Sequence, residues 1–308
     1  MERPSTSTAL TGSEGSPGTL LAGRYAFEAE LTAGGSGRVM RVRDTLSGER
    51  RVAKAVDPAN AARLCAELDA LREVHHPAIL QAHELLRLPE MVGPPFTLPA
   101  GTAVLVTAWV PGDTLAATGA CGSWQELAAL GGTLAAALAA LHAADVVHGD
   151  VSPNNVMITP EGPVLIDLGH AGSPRTLGAG AAGTLAFMAP EAFSGARTPA
   201  TDLFSLAATL LSVAPGSPVT DTRRLTLTEA HERAMRWGRE LNDRLLGAPS
   251  PLRDVLRALL LPNAADRLDD ADEVARRLRW EGQGVPADDA ETGGLLSAHP
   301  RGKRSPKR

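Results

Sequence analysis

The amino-acid sequence predicts an α+β fold of two lobes, a small lobe of antiparallel strands followed by a larger, mainly helical lobe. Residues 25–56 alternate short apolar runs with glycine-rich breaks, which is typical of an antiparallel β-meander. Only one helix is predicted within the strand-rich part, whereas beyond Pro111-Gly112 the chain becomes rich in alanine and leucine. A cleft is expected where the lobes meet, and such junctions often bind ligands.

The small lobe is predicted to span residues 23–110. Its first strands are predicted at 26–31, 38–43 and 51–56, where apolar residues alternate. Leucine and valine recur at spacings of three and four over 61–74, which predicts an amphipathic helix. Two more strands are predicted at 79–88 and 103–110, and the proline-rich loop between them is too long for a hairpin turn.

The larger lobe is predicted to span residues 111–280. Ser123 is a suitable N-cap for a long helix over 124–144. Further helices are predicted at 200–213, 227–246, 251–261 and 269–280. Residues 1–22, which are rich in Ser, Thr, Gly and Pro, and the basic tail 281–308 are expected to be disordered.

Composition narrows the classes of protein. With 308 residues and 44% hydrophobic content the chain can bury one large core or two adjoining ones, which excludes a fibrous or wholly disordered protein. A net charge of −5 gives no reason to expect a nucleic-acid partner. Cys65 and Cys121 have no partners at metal-binding spacing, which favours a reducing, cytoplasmic location. The longest apolar stretch, 127–147, contains two glycines, His142 and Asp145, so no membrane span is expected.

The C-terminal tail carries a cluster of positive charge. Five of the last eight residues are cationic, which is compatible with an anionic partner or with a solvated tail. They are Arg301, Lys303, Arg304, Lys307 and Arg308.

A glycine-rich turn lies between the first two predicted strands, with the sequence Leu31-Thr32-Ala33-Gly34-Gly35-Ser36-Gly37-Arg38-Val39. Its backbone N–H groups could close over a polyphosphate, although most such turns are simple hairpins. Lys54 follows fifteen residues after Val39 on the third predicted strand. Glu67, on the predicted helix, is either an ion-pair partner of Lys54 or a surface residue.

Two polar segments of the larger lobe contain the groups that phosphoryl transfer requires. His148-Gly149-Asp150 is followed by Asn155, and Asp167-Leu168-Gly169 begins seventeen residues after Asp150. The transfer needs a carboxylate that aligns and deprotonates the acceptor, and oxygen ligands that hold magnesium against the phosphates. Asp150, Asn155 and Asp167 are the candidates for these tasks.

The same motifs resemble those of the protein kinases, which read H-R-D-x-x-x-x-N and D-F-G. The segment Gly183-Thr184-Leu185-Ala186-Phe187-Met188-Ala189-Pro190-Glu191 is similar to the kinase segment G-T-x-x-Y-M-A-P-E. The resemblance covers residues 25–280 and points to the bacterial, eukaryotic-like serine/threonine protein kinases. It implies a two-lobed kinase fold, with an antiparallel-sheet N-lobe that contains one C-helix and a mainly helical C-lobe.

The resemblance implies a signalling enzyme that transfers the γ-phosphate of ATP to serine or threonine hydroxyls of protein substrates. Asp150 would be the catalytic base, and Asn155 and Asp167 would bind magnesium, for which manganese could substitute. Lys54 would hold the α- and β-phosphates, and Glu67 would orient Lys54. The candidate catalytic residues are therefore Asp150, Asn155, Asp167, Lys54, Glu67 and Thr184.

Other residues acquire roles from the same resemblance. The Thr184 hydroxyl would point at the base, Asp202 would bond the backbone around Asp150, and Arg267 would pair with Glu191. Thr107 would be the gatekeeper of the adenine pocket, Val52 would touch the adenine, and backbone groups of Ala108 and Val110 would bond its edge. The predicted nucleotide-binding residues are Leu31, Gly34, Gly35, Ser36, Gly37, Val39, Val52, Lys54, Thr107, Ala108, Val110 and Met157.

Several positions depart from the kinase pattern. Ser152 stands where active serine/threonine kinases usually have a lysine that steadies the phosphoryl group. The loss of one charged hydrogen bond, about 1.5 to 3 kcal/mol, predicts a rate lower by one to two powers of ten. Thr32 replaces the first glycine of the turn and stiffens it. Leu168 replaces phenylalanine and is expected to pack with His148 and Leu71.

Gly149 replaces the arginine that binds a phosphorylated activation loop in many relatives. A phosphate on Ser173, Thr176 or Thr184 would then have no adjacent guanidinium as partner. We therefore predict that activity does not require phosphorylation of the activation loop.

Two other functions remain open at this point. A pseudokinase, which binds ATP as a signalling scaffold without turnover, is compatible with Ser152, Thr32 and Gly149. A small-molecule phosphotransferase of the aminoglycoside type also uses H-G-D-x-x-x-x-N. The segment Ala189-Pro190-Glu191 argues against the second, because those enzymes generally lack this feature of the peptide groove.

Overall fold

The small lobe is built on a six-stranded antiparallel sheet with the strand order β1-β2-β3-β4-β6-β5. The computed structural model describes residues 19–34, 37–168, 184–216 and 225–279. The strands are β1 (Leu20–Leu21), β2 (Tyr25–Gly34), β3 (Gly37–Asp44), β4 (Arg50–Val56), β5 (Ala82–Arg87) and β6 (Ala103–Ala108). The predicted meander is thus confirmed.

One part of the sheet lies where the sequence predicted disorder. Leu20 and Leu21 pair with Ala26 and Tyr25, and the side chain of Leu21 is fully buried. The ordered chain therefore begins before Gly23, because two apolar residues find a strand partner that local composition does not reveal. Residues 1–18 and the tail from residue 280 onwards lie outside the described part of the chain.

The two faces of the sheet have different partners. Met40 and Val42 of β3 point into a core that also contains Phe27 and Phe96, whose rings meet edge to face at 4.9 Å. Helix α1 (Ala61–Glu73) buries Leu64, Leu68 and Leu71 in a second, larger core that extends into the other lobe. Since Val39 lies opposite Lys54 in the ladder, these side chains share the face away from Met40.

The larger lobe contains six helices in the described part of the chain. They are α2 (Leu115–Thr118), α3 (Trp124–Ala143), α4 (Pro199–Ser212), α5 (Leu227–Arg244), α6 (Ser250–Leu259) and α7 (Ala271–Leu278). Ser123 caps α3 as predicted, because its hydroxyl accepts a hydrogen bond from the amide of Glu126. Among the described helices, α3 alone is long and apolar enough to cross a membrane, but 56% of its apolar window is buried inside the protein.

A three-stranded sheet in the larger lobe was not predicted. It consists of β7 (Asp113–Thr114), β8 (Val156–Thr159) and β9 (Gly162–Leu165), in the order β7-β8-β9. Gly112 precedes β7 with φ of 137°, and a Cβ at this position would lie 2.0 Å from the carbonyl oxygen of Ile158. Glycine thus lets the connection between the lobes pass directly against β8.

The lobes also contact each other through the segment between α1 and β5. Residue Ile79 forms a parallel bridge with Leu165, and the amide of Leu80 donates to the Leu165 carbonyl at 2.9 Å. This is why β5 begins at Ala82 and not at Ile79, where the sequence predicted it. The end of β9 is consequently held against the small lobe.

Candidate active site

Asp202 of α4 holds the loop formed by residues 148–155. Its carboxylate is buried and accepts hydrogen bonds from the amides of His148 and Gly149, both at 2.8 Å. The ring of His142 lies 2.9 Å from the same carboxylate. Gly149 adopts φ of 77°, a left-handed conformation that glycine takes without strain. The predicted contact of Asp202 is therefore present, and it fixes the backbone on which Asp150 stands.

Asp150 and Asn155 are joined inside this loop. The amide group of Asn155 donates to the backbone carbonyl and to Oδ2 of Asp150, both at 2.9 Å. Because both bonds use the amide nitrogen, the Oδ1 atom of Asn155 remains the atom suited to a metal. The amide of Ile166 donates to the Asn155 carbonyl at 2.9 Å, which brings the residue after β9 beside the loop.

Lys54 connects the two lobes at the site. Its Nζ lies 2.9 Å from Oε2 of Glu67 and 2.5 Å from Oδ1 of Asp167. The predicted ion pair with Glu67 is thus present, and the Glu67 side chain is only 2% exposed. Burial acts to lower the pKa of Lys54, but the charges of Glu67 and Asp167 outweigh it and raise that pKa above 10.5. Lys54 is therefore a stable cation in the cleft.

Asp167 has an unusual backbone conformation, with φ of 61°. Such a conformation is uncommon for a residue with a side chain and marks positions where surrounding contacts determine the backbone. Leu168, the next residue, is 1% exposed, and His148 and Leu71 are buried as well. Asp167 is thus aimed at Lys54 while the chain on its far side enters the core.

The glycine-rich turn is described at its two ends. Gly34 and Gly37 pair across β2 and β3, whereas Gly35 and Ser36 lie outside the described residues. A Cβ on Gly37 would lie 2.5 Å from the carbonyl oxygen of Ala55, so only glycine fits this close approach of β3 to β4. Leu31 belongs to β2 and is half-buried.

The residues of the predicted adenine site lie on β4, on β6 and just after it, and on β8. Val52 is opposite Thr107 in the ladder of β4 and β6, and Thr107 is buried. The amide of Ala108 donates to the Gln81 carbonyl at 2.9 Å. This amide is therefore engaged by Gln81, and the expectation that backbone groups of Ala108 and Val110 bond the adenine edge stays a prediction. Met157 is half-buried on β8.

The donor set fits the complex of a nucleotide with a divalent metal ion. The described residues contain no group of three or more His, Cys, Asp or Glu arranged for a metal ion. Magnesium in such sites is bound by one or two protein oxygens and completes its shell with phosphate oxygens and water. The amide oxygen of Asn155 and the carboxylate of Asp167, beside the Lys54 ammonium, meet that requirement.

Thr184 contacts the base in a way that the sequence did not predict. Its amide, and not its hydroxyl, donates to Oδ1 of Asp150 at 2.5 Å. The hydroxyl lies 3.4 Å from the hydroxyl of Ser152, whose side chain is fully buried. The prediction that the Thr184 hydroxyl points at Asp150 is therefore wrong. Its neighbour is the hydroxyl of Ser152, the residue that stands where a lysine was expected. Ser173 and Thr176 lie outside the described residues.

The segment after Thr184 is anchored by the predicted Glu191–Arg267 pair. The Arg267 side chain is 0% exposed and contacts Glu191 at 2.6 Å. Sequence reasoning overlooked two other residues, Gln81 and His142. Gln81 acts through its backbone and leaves no signal in the sequence. His142 did leave a signal, because it is a polar residue on the apolar helix α3, six residues before His148, and a polar residue there needs a hydrogen-bond partner.

Comparison with known proteins agrees with this geometry. A family model described as the protein kinase domain matches residues 25–277. The chain is 34% identical over 213 residues to the DNA damage-responsive serine/threonine-protein kinase RqkA of Deinococcus radiodurans, an alignment that covers 66% of this chain and 31% of the relative. It is 30% identical over 272 residues to the serine/threonine-protein kinase AfsK of Streptomyces coelicolor, which covers 82% of this chain and 31% of the relative. It is 34% identical over 205 residues to the serine/threonine-protein kinase PknA of Mycobacterium tuberculosis, an alignment that covers 61% of this chain and 46% of the relative. The alignments thus span about a third to a half of the length of these relatives.

Proposed function

The chain belongs to the protein kinase family, and from this premise we propose that it transfers the γ-phosphate of ATP to serine or threonine hydroxyls of proteins. The observation that carries the proposal is the convergence of groups from both lobes. Lys54 of the small lobe lies 2.5 Å from Asp167 of the larger lobe, and Asn155 is bonded to Asp150 beside them. The groups proposed as base, phosphate-binding cation and metal ligands would thus meet at one place between the lobes.

Each group has a task in the proposed reaction. Asp150 accepts the proton of the acceptor hydroxyl as that oxygen attacks phosphorus, and Lys54 binds phosphate oxygens in an orientation fixed by Glu67. Asn155 and Asp167 would hold magnesium. When bound, magnesium neutralises charge on the transferring phosphoryl group. Val52 and Met157 would pack against the adenine from opposite lobes.

The nature of the acceptor follows from the family. The matched relatives are named serine/threonine-protein kinases, which favours protein substrates over the small-molecule acceptors that His148-Gly149-Asp150 left open. The buried Ser152 is compatible with the alternative function of an ATP-binding scaffold, because a serine supplies no cation for the transferring phosphoryl group. We propose that the protein is an enzyme, because the chain has the proposed base, both proposed metal ligands and Lys54. We propose that it is slow, because Ser152 supplies no cation.

Two features of the cellular setting are also proposals. Cys65 and Cys121 are free thiols, which is in keeping with a reducing, cytoplasmic environment. An anionic partner for the C-terminal cations rests on composition alone, because those residues lie outside the described part of the chain.

The test is phosphate transfer from radiolabelled ATP to a generic protein substrate and to an aminoglycoside, with magnesium or manganese. Asp150→Asn is the matched control, because it keeps the shape of the side chain and removes the base. We expect label on serine and threonine, at a rate about 100- to 10,000-fold above that of the variant. Equal rates for the wild-type protein and Asp150→Asn would indicate an ATP-binding scaffold without turnover. Label on the aminoglycoside alone would indicate a small-molecule phosphotransferase.

A further inference from the structure

Among the described residues, the carboxylate of Asp150 receives its hydrogen bonds from uncharged N–H groups. The amide of Thr184 donates to Oδ1 at 2.5 Å, and the side chain of Asn155 donates to Oδ2 at 2.9 Å. The ion pairs formed within the described residues involve other carboxylates, such as those of Glu67, Asp167 and Glu191. The base is therefore oriented in this part of the structure by two N–H dipoles.

Thr184 presents its amide to Asp150 because contacts of its hydroxyl and of its carbonyl hold the residue in place. Its hydroxyl faces that of Ser152, 3.4 Å away, and its carbonyl accepts a hydrogen bond from the amide of Phe187 at 3.0 Å. The short 3₁₀ turn Leu185–Phe187 that follows is anchored in the core, where Phe187 is 4% exposed. The position of the amide is thus set by the hydrogen bond from Phe187 and the packing of that residue, with the contact between the two hydroxyls as a further restraint.

We propose that the backbone amide of Thr184 is a positioning group for the catalytic base and orients its carboxylate together with the side chain of Asn155. This inference rests on the proposed function. A hydrogen bond from an N–H group to a carboxylate is charge-assisted and directional, so two of them fix the plane of the carboxylate. Each oxygen keeps a lone pair for the acceptor hydroxyl. Such preorganised dipoles need no rearrangement when the reaction begins.

Substitution at Thr184 separates the amide from the hydroxyl. Thr184→Pro removes the N–H, and the observed φ of −79° lies within the range of proline. Thr184→Ala keeps the N–H and removes the hydroxyl. We expect the proline variant to lower kcat about 10- to 100-fold, the factor for one hydrogen bond to a charged group, with KM for ATP within about twofold. The alanine variant keeps the amide and is expected to have a kcat clearly above that of the proline variant.

A second variant distinguishes the lost hydrogen from the added ring. The α-hydroxy acid analogue of threonine, introduced at position 184 by nonsense suppression, replaces the N–H by an ester oxygen without adding bulk. It should reproduce the fall in kcat of Thr184→Pro. The inference is overturned if either N–H-deleted variant keeps or exceeds the wild-type kcat, or if Thr184→Ala loses as much as Thr184→Pro, since the hydroxyl would then be the essential group.

A spectroscopic measurement tests the bond independently of turnover. The amide proton of Thr184 in the ¹⁵N-labelled full-length protein is expected at low field, as for a short bond to a carboxylate, and should move upfield in Asp150→Asn. An amide resonance that is unaffected by Asp150→Asn would overturn the inference even if the enzyme is active. A shifted resonance in a protein without turnover would contradict the proposed function and leave the contact standing.

Discussion

Replacement of Arg267 by alanine is expected to reduce the free energy of unfolding by about 3 to 5 kcal/mol. The Arg267 guanidinium binds both carboxylate oxygens of Glu191, at 2.6 and 3.1 Å, and its side chain is 0% exposed. Its other bonds reach the backbone carbonyls of Ala200, Leu261 and Pro262. Truncation would leave a partly buried carboxylate and several carbonyls without their donor, and each such loss is costly.

The effect should be large on the scale of the whole protein. Domains unfold with about 5 to 15 kcal/mol, so a substantial share of the stability is at stake. For a chain of this size the melting temperature should fall by about 6 to 20 °C. Differential scanning calorimetry and urea denaturation measure both quantities. Arg267→Lys should lie between the two proteins, because an ammonium lacks the planar fork that matches a carboxylate.

An exposed arginine provides the matched control. Arg236 pairs with Glu232 at 3.8 Å with 55% of its side chain exposed, and Arg236→Ala should change stability by no more than about 0.5 kcal/mol. A double-mutant cycle with Glu191→Ala should yield a coupling energy above about 1 kcal/mol. If Arg267→Ala cost no more than Arg236→Ala, the reasoning that this pair anchors the segment after Thr184 would be refuted.

Three further predictions concern the turn, the sheet and the activation loop. A Cβ on Gly37 would lie 2.5 Å from a β4 carbonyl, so Gly37→Ala should weaken ATP binding in a calorimetric titration. Gly93→Ala is the control and should leave the affinity unchanged, because a Cβ on Gly93 would have no atom within 4 Å. Equal affinities of the two variants for ATP would contradict this prediction. Hydrogen bonds from Arg24 hold the pKa of Asp44 below 3.8, so its contribution to stability is present above that pH and is lost as pH falls through the folded pKa. The difference in melting temperature between wild type and Asp44→Asn should therefore be constant from about pH 5 to 8 and narrow below about pH 4, and a constant gap at acid pH would disprove it. Because Gly149 cannot bind phosphate with a side chain, phosphatase-treated protein should keep its rate within about twofold, and a collapse of activity would rule this out.

The elements that sequence reasoning found are those with a strong local pattern. In β3, Met40 and Val42 are fully buried while Arg41 and Arg43 are not, which is the alternation that predicted the strand. The pair Leu20–Leu21 was lost because a two-residue strand depends on its partner and not on its own composition. The hairpin of β8 and β9 did have a signal, since a run of β-branched residues, the turn Pro160-Glu161 and a second apolar run follow one another.

The candidate site was predictable in its membership and less so in its atoms. The resemblance to the protein kinases was sufficient to pair Lys54 with Glu67, because each lies on an element whose pattern is clear. It could not indicate that the amide of Thr184, and not its hydroxyl, faces Asp150. Nor could it indicate that Gln81 occupies the amide of Ala108. Both contacts are made by backbone amides, which nearly every residue possesses. The identity of the residues therefore does not predict these contacts.

The Lys54 ammonium gives helix α1 a direct influence on the metal ligand. Glu67 and Asp167 share one cation, at 2.9 and 2.5 Å from its nitrogen. A buried ammonium needs this compensation, so any displacement of Glu67 strengthens the hold of Lys54 on Asp167. Asp167 would then be less available to magnesium, because the same oxygens serve both cations. Under the proposed function, the position of α1 would therefore set how Asp167 is divided between lysine and metal, and a shift of this helix would alter the nucleotide site without any change in the loop of residues 148–155.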